Sequence, residues 1–127
     1  MSDGNSGEGR GSELRERAFE FACEVLDLHR IVYRVAPDLR STSAQASSAA
    51  GSIGANLEEA DAAQSRADFI SKCNISLKEA RETRYWLRML HRAFEREQRR
   101  IAALIAEATE LVAILTTIVR KSRNRPK

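Results

Sequence analysis

Four stretches of the chain repeat apolar residues at steps of three and four, the spacing that stacks side chains on one face of an α-helix. Leu14, Ala18, Phe21, Val25, Leu28, Val32 and Val35 form the first stretch. Ser12 is placed to cap it, with Glu13 and Glu16 favourable in its first turn. Pro37 ends it, because the residue before a proline is pushed out of the helical region. The second stretch, residues 41–62, is rich in Ala, Ser and Gly. Such composition suits a linker, yet Ile53 and Leu57 continue the line of Ala46 and Ala50 at helical spacing. Small residues also let helix backbones approach closely, which favours a tightly packed helix whose other stripe is Gln45, Ser48, Ser52, Asn56 and Glu59.

The third stretch, Ser65 to Phe94, has no proline or glycine. Ser65 is a good N-cap with Asp68 three residues on. Ile70, Cys73, Leu77, Ala80, Leu87 and Phe94 make one apolar stripe, and Ile75, Glu79, Glu82, Trp86 and Met89 lie beside it. Tyr85, Trp86 and Leu87 point roughly 100° apart around the helix, so one core cannot take all three. This helix therefore meets its own bundle on one side and another subunit on the other. After a turn at 94–96 the fourth stretch steps through Ile101, Leu104, Ala108, Leu111, Leu115 and Ile118, with Ile105, Val112 and Val119 alongside, and is expected to end near Arg120. Short links between helices predict an all-α, up-down-up-down antiparallel four-helix bundle.

Composition changes this picture little. The chain has 127 residues, enough for one domain. Residues 1–11 are too polar and glycine-rich to offset their ordering entropy and are expected to be a flexible tail, leaving a bundle over 12–120 and a basic tail over 121–127. No twenty-residue apolar run predicts a membrane span, and no apolar signal core opens the chain. Cys23 and Cys73 stand alone within apolar stripes and are expected to be buried thiols of a cytoplasmic protein.

Charge is more informative. Of the 21 basic residues, five (Arg120, Lys121, Arg123, Arg125, Lys127) follow residue 119 with no acid among them, and the remaining sixteen are outnumbered by the 18 acids. Lys72, Lys78, Arg81, Arg84, Arg88 and Arg92 share the third helix, and Arg96, Arg99 and Arg100 flank the next turn. Clustered positive charge is all that phosphate contact needs. Arg81, Arg84, Arg88, Arg92, Arg120, Lys121, Arg123 and Arg125 are the candidate nucleic-acid contacts, against the alternative of a solvated face balanced by Glu79, Glu82, Glu95 and Glu97.

Enzymatic and metal chemistry find no foothold. A bundle di-iron site needs Glu-x-x-His pairs, but Leu26 and Arg88 stand three before His29 and His91. Cys and His do not cluster as zinc requires, and no phosphate-cradling glycine loop or nucleophile–base arrangement is present. No enzyme and no cofactor are expected. Asn56 with Glu59, and Glu79 with Glu82, are polar pairs one turn apart within otherwise apolar stripes. They suit an internal or inter-subunit network, with Arg66, Arg81, Arg84 or Arg88 as partners of the carboxylates, or a ligand cavity bordered by Asn56 and Glu59.

Two blocks carry a resemblance. SAAGSIGANLEEA (48–60) and NISLKEARETRYWLRML (74–90) resemble the paired motifs of the four-helix-bundle proteins encoded in intervening sequences of bacterial 23S ribosomal RNA, to which accessory variability proteins of diversity-generating retroelements are related. Ser52, Ile53, Asn56 and Glu59 match the first block; Glu79, Glu82, Thr83, Tyr85, Trp86 and Leu87 match the second. The resemblance spans roughly residues 14–120. It implies a left-handed bundle assembled as a homo-oligomeric ring, typically a pentamer, with a basic surface for RNA or, in the retroelement relatives, a reverse transcriptase partner. Ser47 and Ser48 stand where relatives often carry a basic pair, and Ala60 where they often carry glycine. These features predict a non-catalytic RNA-binding oligomer; the alternative is a scaffold for a retroelement reverse transcriptase.

Overall fold

A computed structural model describes residues 6–125, and these form four α-helices with no strand. Helix α1 spans Ser6–Val35, α2 Arg40–Asp61, α3 Arg66–Ala93 and α4 Gln98–Asn124, with a 3-10 turn at Pro37–Leu39. Consecutive helices pack against each other, and α1 meets α4 less closely.

The second helix shows why the fold is tight. Ala46, Ala49, Ala50, Ile53, Leu57 and Ala60 are buried along α2, so the small residues form a helix and not a linker. Their size lets α3 approach until the Ser76 hydroxyl donates to the Ile53 carbonyl at 2.8 Å. Gly54 faces α1, where a Cβ would sit 3.7 Å from Ala18. On α3 the buried line is Cys73, Ser76, Leu77, Ala80, Thr83, Leu87 and Leu90, continued by Phe94. The Thr83 hydroxyl is satisfied by the Glu79 carbonyl at 2.7 Å. Ile70, expected in this stripe, is only half-buried.

Helix ends follow local chemistry. Ser65 accepts a hydrogen bond from the Asp68 amide at 3.1 Å, as its capping position predicts. The link from α3 to α4 turns on Glu97, which holds a left-handed φ of 58°. That conformation costs a non-glycine residue roughly 1 kcal/mol, and the chain holds it with two devices. Glu97 bonds Arg100 at 2.8 Å, and the Gln98 amide donates to the His91 carbonyl at 2.9 Å and to that of Phe94.

Two boundaries differ from expectation. Helix α1 runs through residues 6–11, where a flexible tail was expected, and Ser12 lies inside it and not at its cap. Gly9 is exposed and Gly11 borders a groove at this end of the bundle, so the first turns of α1 form despite the low helix propensity of glycine. Residues 1–5 lie outside the described range. Helix α4 continues past Arg120 to Asn124, so the basic residues 121–124 are helical and not a tail; residues 126–127 are outside the described range. At the other end of α1, Val35, expected in the apolar stripe, is 38% exposed.

Among the described residues one helix, α4, is long and apolar enough by length and composition to cross a membrane, a test that a core helix passes as well. Within this fold its stripe of Ile101, Leu104, Ala108, Leu111, Leu115 and Val119 closes the core, and Glu107 on its flank is paired with Arg17 of α1 at 2.5 Å.

Two substitutions separate packing from propensity. Nothing lies within 4 Å of where a Gly51 Cβ would sit, so Gly51→Ala should raise stability by roughly 0.5–1 kcal/mol. Leu87, fully buried, should cost about 2–5 kcal/mol when cut to alanine. Urea denaturation checks both.

Candidate nucleic-acid interface

The arginines of α3 recur at steps of three and four: Arg81, Arg84, Arg88 and Arg92. They line one face over roughly 16 Å of helix. Arg84 is half-buried and the other three are exposed. None forms an ion pair among the described residues, so the pairing expected between them and the nearby carboxylates does not occur. Like charges four apart, Arg84–Arg88–Arg92, disfavour the isolated helix by about 0.2–0.5 kcal/mol per pair. An uncompensated belt of this kind attracts polyanions.

A second basic cluster lies at the other end of the α3/α4 pair. Arg120, Lys121, Arg123 and Arg125 are exposed. The Arg66 guanidinium, opening α3, donates to the Arg125 carbonyl at 3.0 Å, which pins this end beside the start of α3. Arg81 is fifteen residues further along α3, about 22 Å away at 1.5 Å per residue. The eight predicted contacts thus form two groups and not one patch. The C-terminal group sits at the negative end of the α4 dipole, which favours its charge.

The paired motif residues converge differently. Ile53 is core. Asn56 donates to the Ser52 carbonyl at 2.9 Å, and Glu59 pairs with Lys72 of α3 at 2.8 Å, which raises the Lys72 pKa. Glu82 accepts from the Trp86 indole at 3.1 Å, and Trp86 stacks edge-on with Tyr85. Asn56 and Glu59 are therefore occupied by their neighbours; Glu59 lines an open depression of about 570 Å³ with Gln64, Ser65, Asp68 and Lys72, of which Asn56 is not part. Burial, reinforced by Glu82, pushes the Glu79 carboxyl above its ordinary range. Burial also raises the Cys73 thiol to about 11; Cys23 is half-exposed, contrary to the expectation of two buried thiols.

A groove of about 680 Å³ opens where α1 and α4 part, lined by Leu14, Leu57, Phe69, Cys73, Ile114 and Ile118. At its mouth Arg15 bonds Asp61 at 3.0 Å. Its walls are mostly apolar, so it offers phosphate little. Among the described residues no group of His, Cys, Asp and Glu lies close enough together to hold a metal ion.

Sequence reasoning passed over one surface. Glu13, Glu16, Glu20, Glu24 and Asp27 recur at helical spacing along α1, all exposed and none ion-paired among the described residues. On another face, separated from them by the exposed Arg30, Phe19, Leu26 and Tyr33 repeat every seven residues, and Phe19 is 58% exposed. The spacing is legible in the sequence but lies under the stronger core stripe of α1.

The raised pKa of Glu79 gives a test. A carboxyl that holds its proton longer in the folded state makes unfolding easier as pH rises past the ordinary value of 4.5. Glu79→Gln should remove that component: relative to wild type, the variant gains stability as pH rises above 4.5, measured by thermal melts on both sides of that value.

Comparison with known proteins agrees with this architecture. No curated protein matches the chain. A crystal structure of a protein of unknown function from the S23 ribosomal protein family of Bacteroides thetaiotaomicron VPI-5482 is similar at 36% identity and a TM-score of 0.78, over 84% of this chain and 98% of that one. The pattern described as 23S rRNA-intervening sequence protein matches residues 10–117. Neither match names a retroelement accessory protein. Fold, motif blocks and this match together place the chain in the 23S rRNA-intervening sequence protein family.

Proposed function

We propose that the protein is a non-catalytic, cytoplasmic oligomer of left-handed up-down-up-down bundles that binds structured RNA through backbone charge. The observation that carries this reading is the exposed group Arg120, Lys121, Arg123 and Arg125, which has no acid among its own residues. The arginines of α3, free of ion pairs among the described residues, add a second phosphate-binding strip. RNA is favoured among polyanions by the family's name and by the ribosomal-protein family of the Bacteroides structure. The up-down order is supported by the links between helix starts and ends, Arg15 to Asp61 and Arg66 to Arg125. Self-association is supported by the apolar side chains left outside the bundle, Tyr85 and Met89 among them; a pentameric ring is what the family resemblance implies.

Binding of an RNA hairpin, titrated at several salt concentrations, tests the reading. Replacing Arg120, Lys121 and Arg123 with glutamine should weaken binding and cut the slope of log K against log salt by roughly 2–3, since each phosphate contact contributes about 0.7–0.9. Absence of binding by the wild-type chain at low salt would overturn the proposal.

A further inference from the structure

We propose that the groove between α1 and α4 binds a medium-chain fatty acid, with the hydrocarbon tail inside and the carboxylate at Arg10. The site is separate from the α3 arginines, and the proposal does not depend on RNA binding. Leu57 and Cys73 are buried at the floor of the groove, and Leu14, Phe69, Ile114 and Ile118 are half-buried along its walls. Its volume of about 680 Å³ lies within the roughly 300–1,000 Å³ of small-molecule sites. Gly11 stands on the rim, where any other residue would add a side chain.

The polar groups of the groove ask nothing of an occupant. The Thr117 hydroxyl donates to the Ala113 carbonyl at 3.1 Å. Burial pushes the Cys73 thiol up to about 11, which keeps it neutral at ordinary pH. Arg15 is held by Asp61 at 3.0 Å. A hydrocarbon chain therefore covers apolar wall without orphaning a donor or an acceptor, whereas a polar ligand would give up its water for no partner. Arg10 is different. It lines the groove one turn ahead of Leu14, is exposed, and forms no ion pair among the described residues. On α4, Lys121 follows Thr117 and Ile118 by one turn on the same face and is likewise exposed and without an ion pair among the described residues. An apolar trough with cations at one end complements an amphiphilic anion: burial holds the tail and charge holds the head. Entry is easy as well, because α1 and α4 are the least closely packed of the neighbouring helices, and a tail can slip between them without parting α2 from α3.

Equilibrium dialysis of the full chain against octanoate and decanoate, both below micelle-forming concentration, tests this. Decanoate should bind roughly tenfold tighter than octanoate, as burial of two further methylenes requires. Arg10→Gln should weaken decanoate binding about two- to fivefold, the size of an exposed ion pair. Gly11→Leu sets a side chain on the rim and raises helix propensity; it should abolish binding while thermal melts stay at or above wild type. In a Cys23→Ser background, decanoate should slow alkylation of Cys73 by iodoacetamide, which places the ligand in the groove. No uptake of decanoate by the wild-type chain would overturn the proposal. So would uptake that leaves Cys73 unprotected and survives Gly11→Leu. Protein that binds anionic phospholipid vesicles but no free decanoate would assign the groove to a membrane surface. Cys73 that becomes reactive only on dilution to single chains would assign it to a second copy. Either of these results also overturns the proposal.

Discussion

Close approach of α2 to α3 is the constraint on which the remaining packing depends. Leucines along α2 would hold the axes apart; Ala46, Ala49, Ala50 and Ala60 let them come together. At that distance a side-chain hydroxyl can reach the main chain of the facing helix, as Ser76 does at Ile53. A buried hydroxyl must find an acceptor or carry a desolvation cost of about 1–3 kcal/mol. Ser76 meets that requirement only if the two helices hold one register. The bond therefore acts less as glue than as an index mark, and it positions the surfaces of α1 and α3 on either side of α2.

Much of this was legible before any coordinates. Steps of three and four located α2, α3 and most of the core, and Ser65 announced the start of α3 through its capping chemistry. The buried hydroxyls were not legible as core. Ser43, Ser76 and Thr83 belong to no apolar stripe, and are interior because a main-chain carbonyl accepts from each. The ends of α1 and α4 were misjudged for a related reason. Glycines weaken a helix locally without forbidding it, so α1 starts ahead of Ser12, and the α4 dipole favours bases in its last turn. For the candidate site, the periodicity of the α3 arginines was readable. Their separation from the C-terminal group was not, because it depends on which helix ends meet.

Positive charge is unevenly placed along the helices: Ser47 and Ser48 leave the middle of α2 without bases, whereas Arg81, Arg88 and Arg92 are exposed on α3 and Arg120, Lys121, Arg123 and Arg125 at the end of α4.

The parting of α1 from α4 has a mechanical consequence. Three helix junctions are firm, and the fourth is held on one side of the groove by Arg17 and Glu107. Fewer contacts hold α1 to α4 than hold the other neighbouring pairs, so separation along that line costs less than separation of α2 from α3.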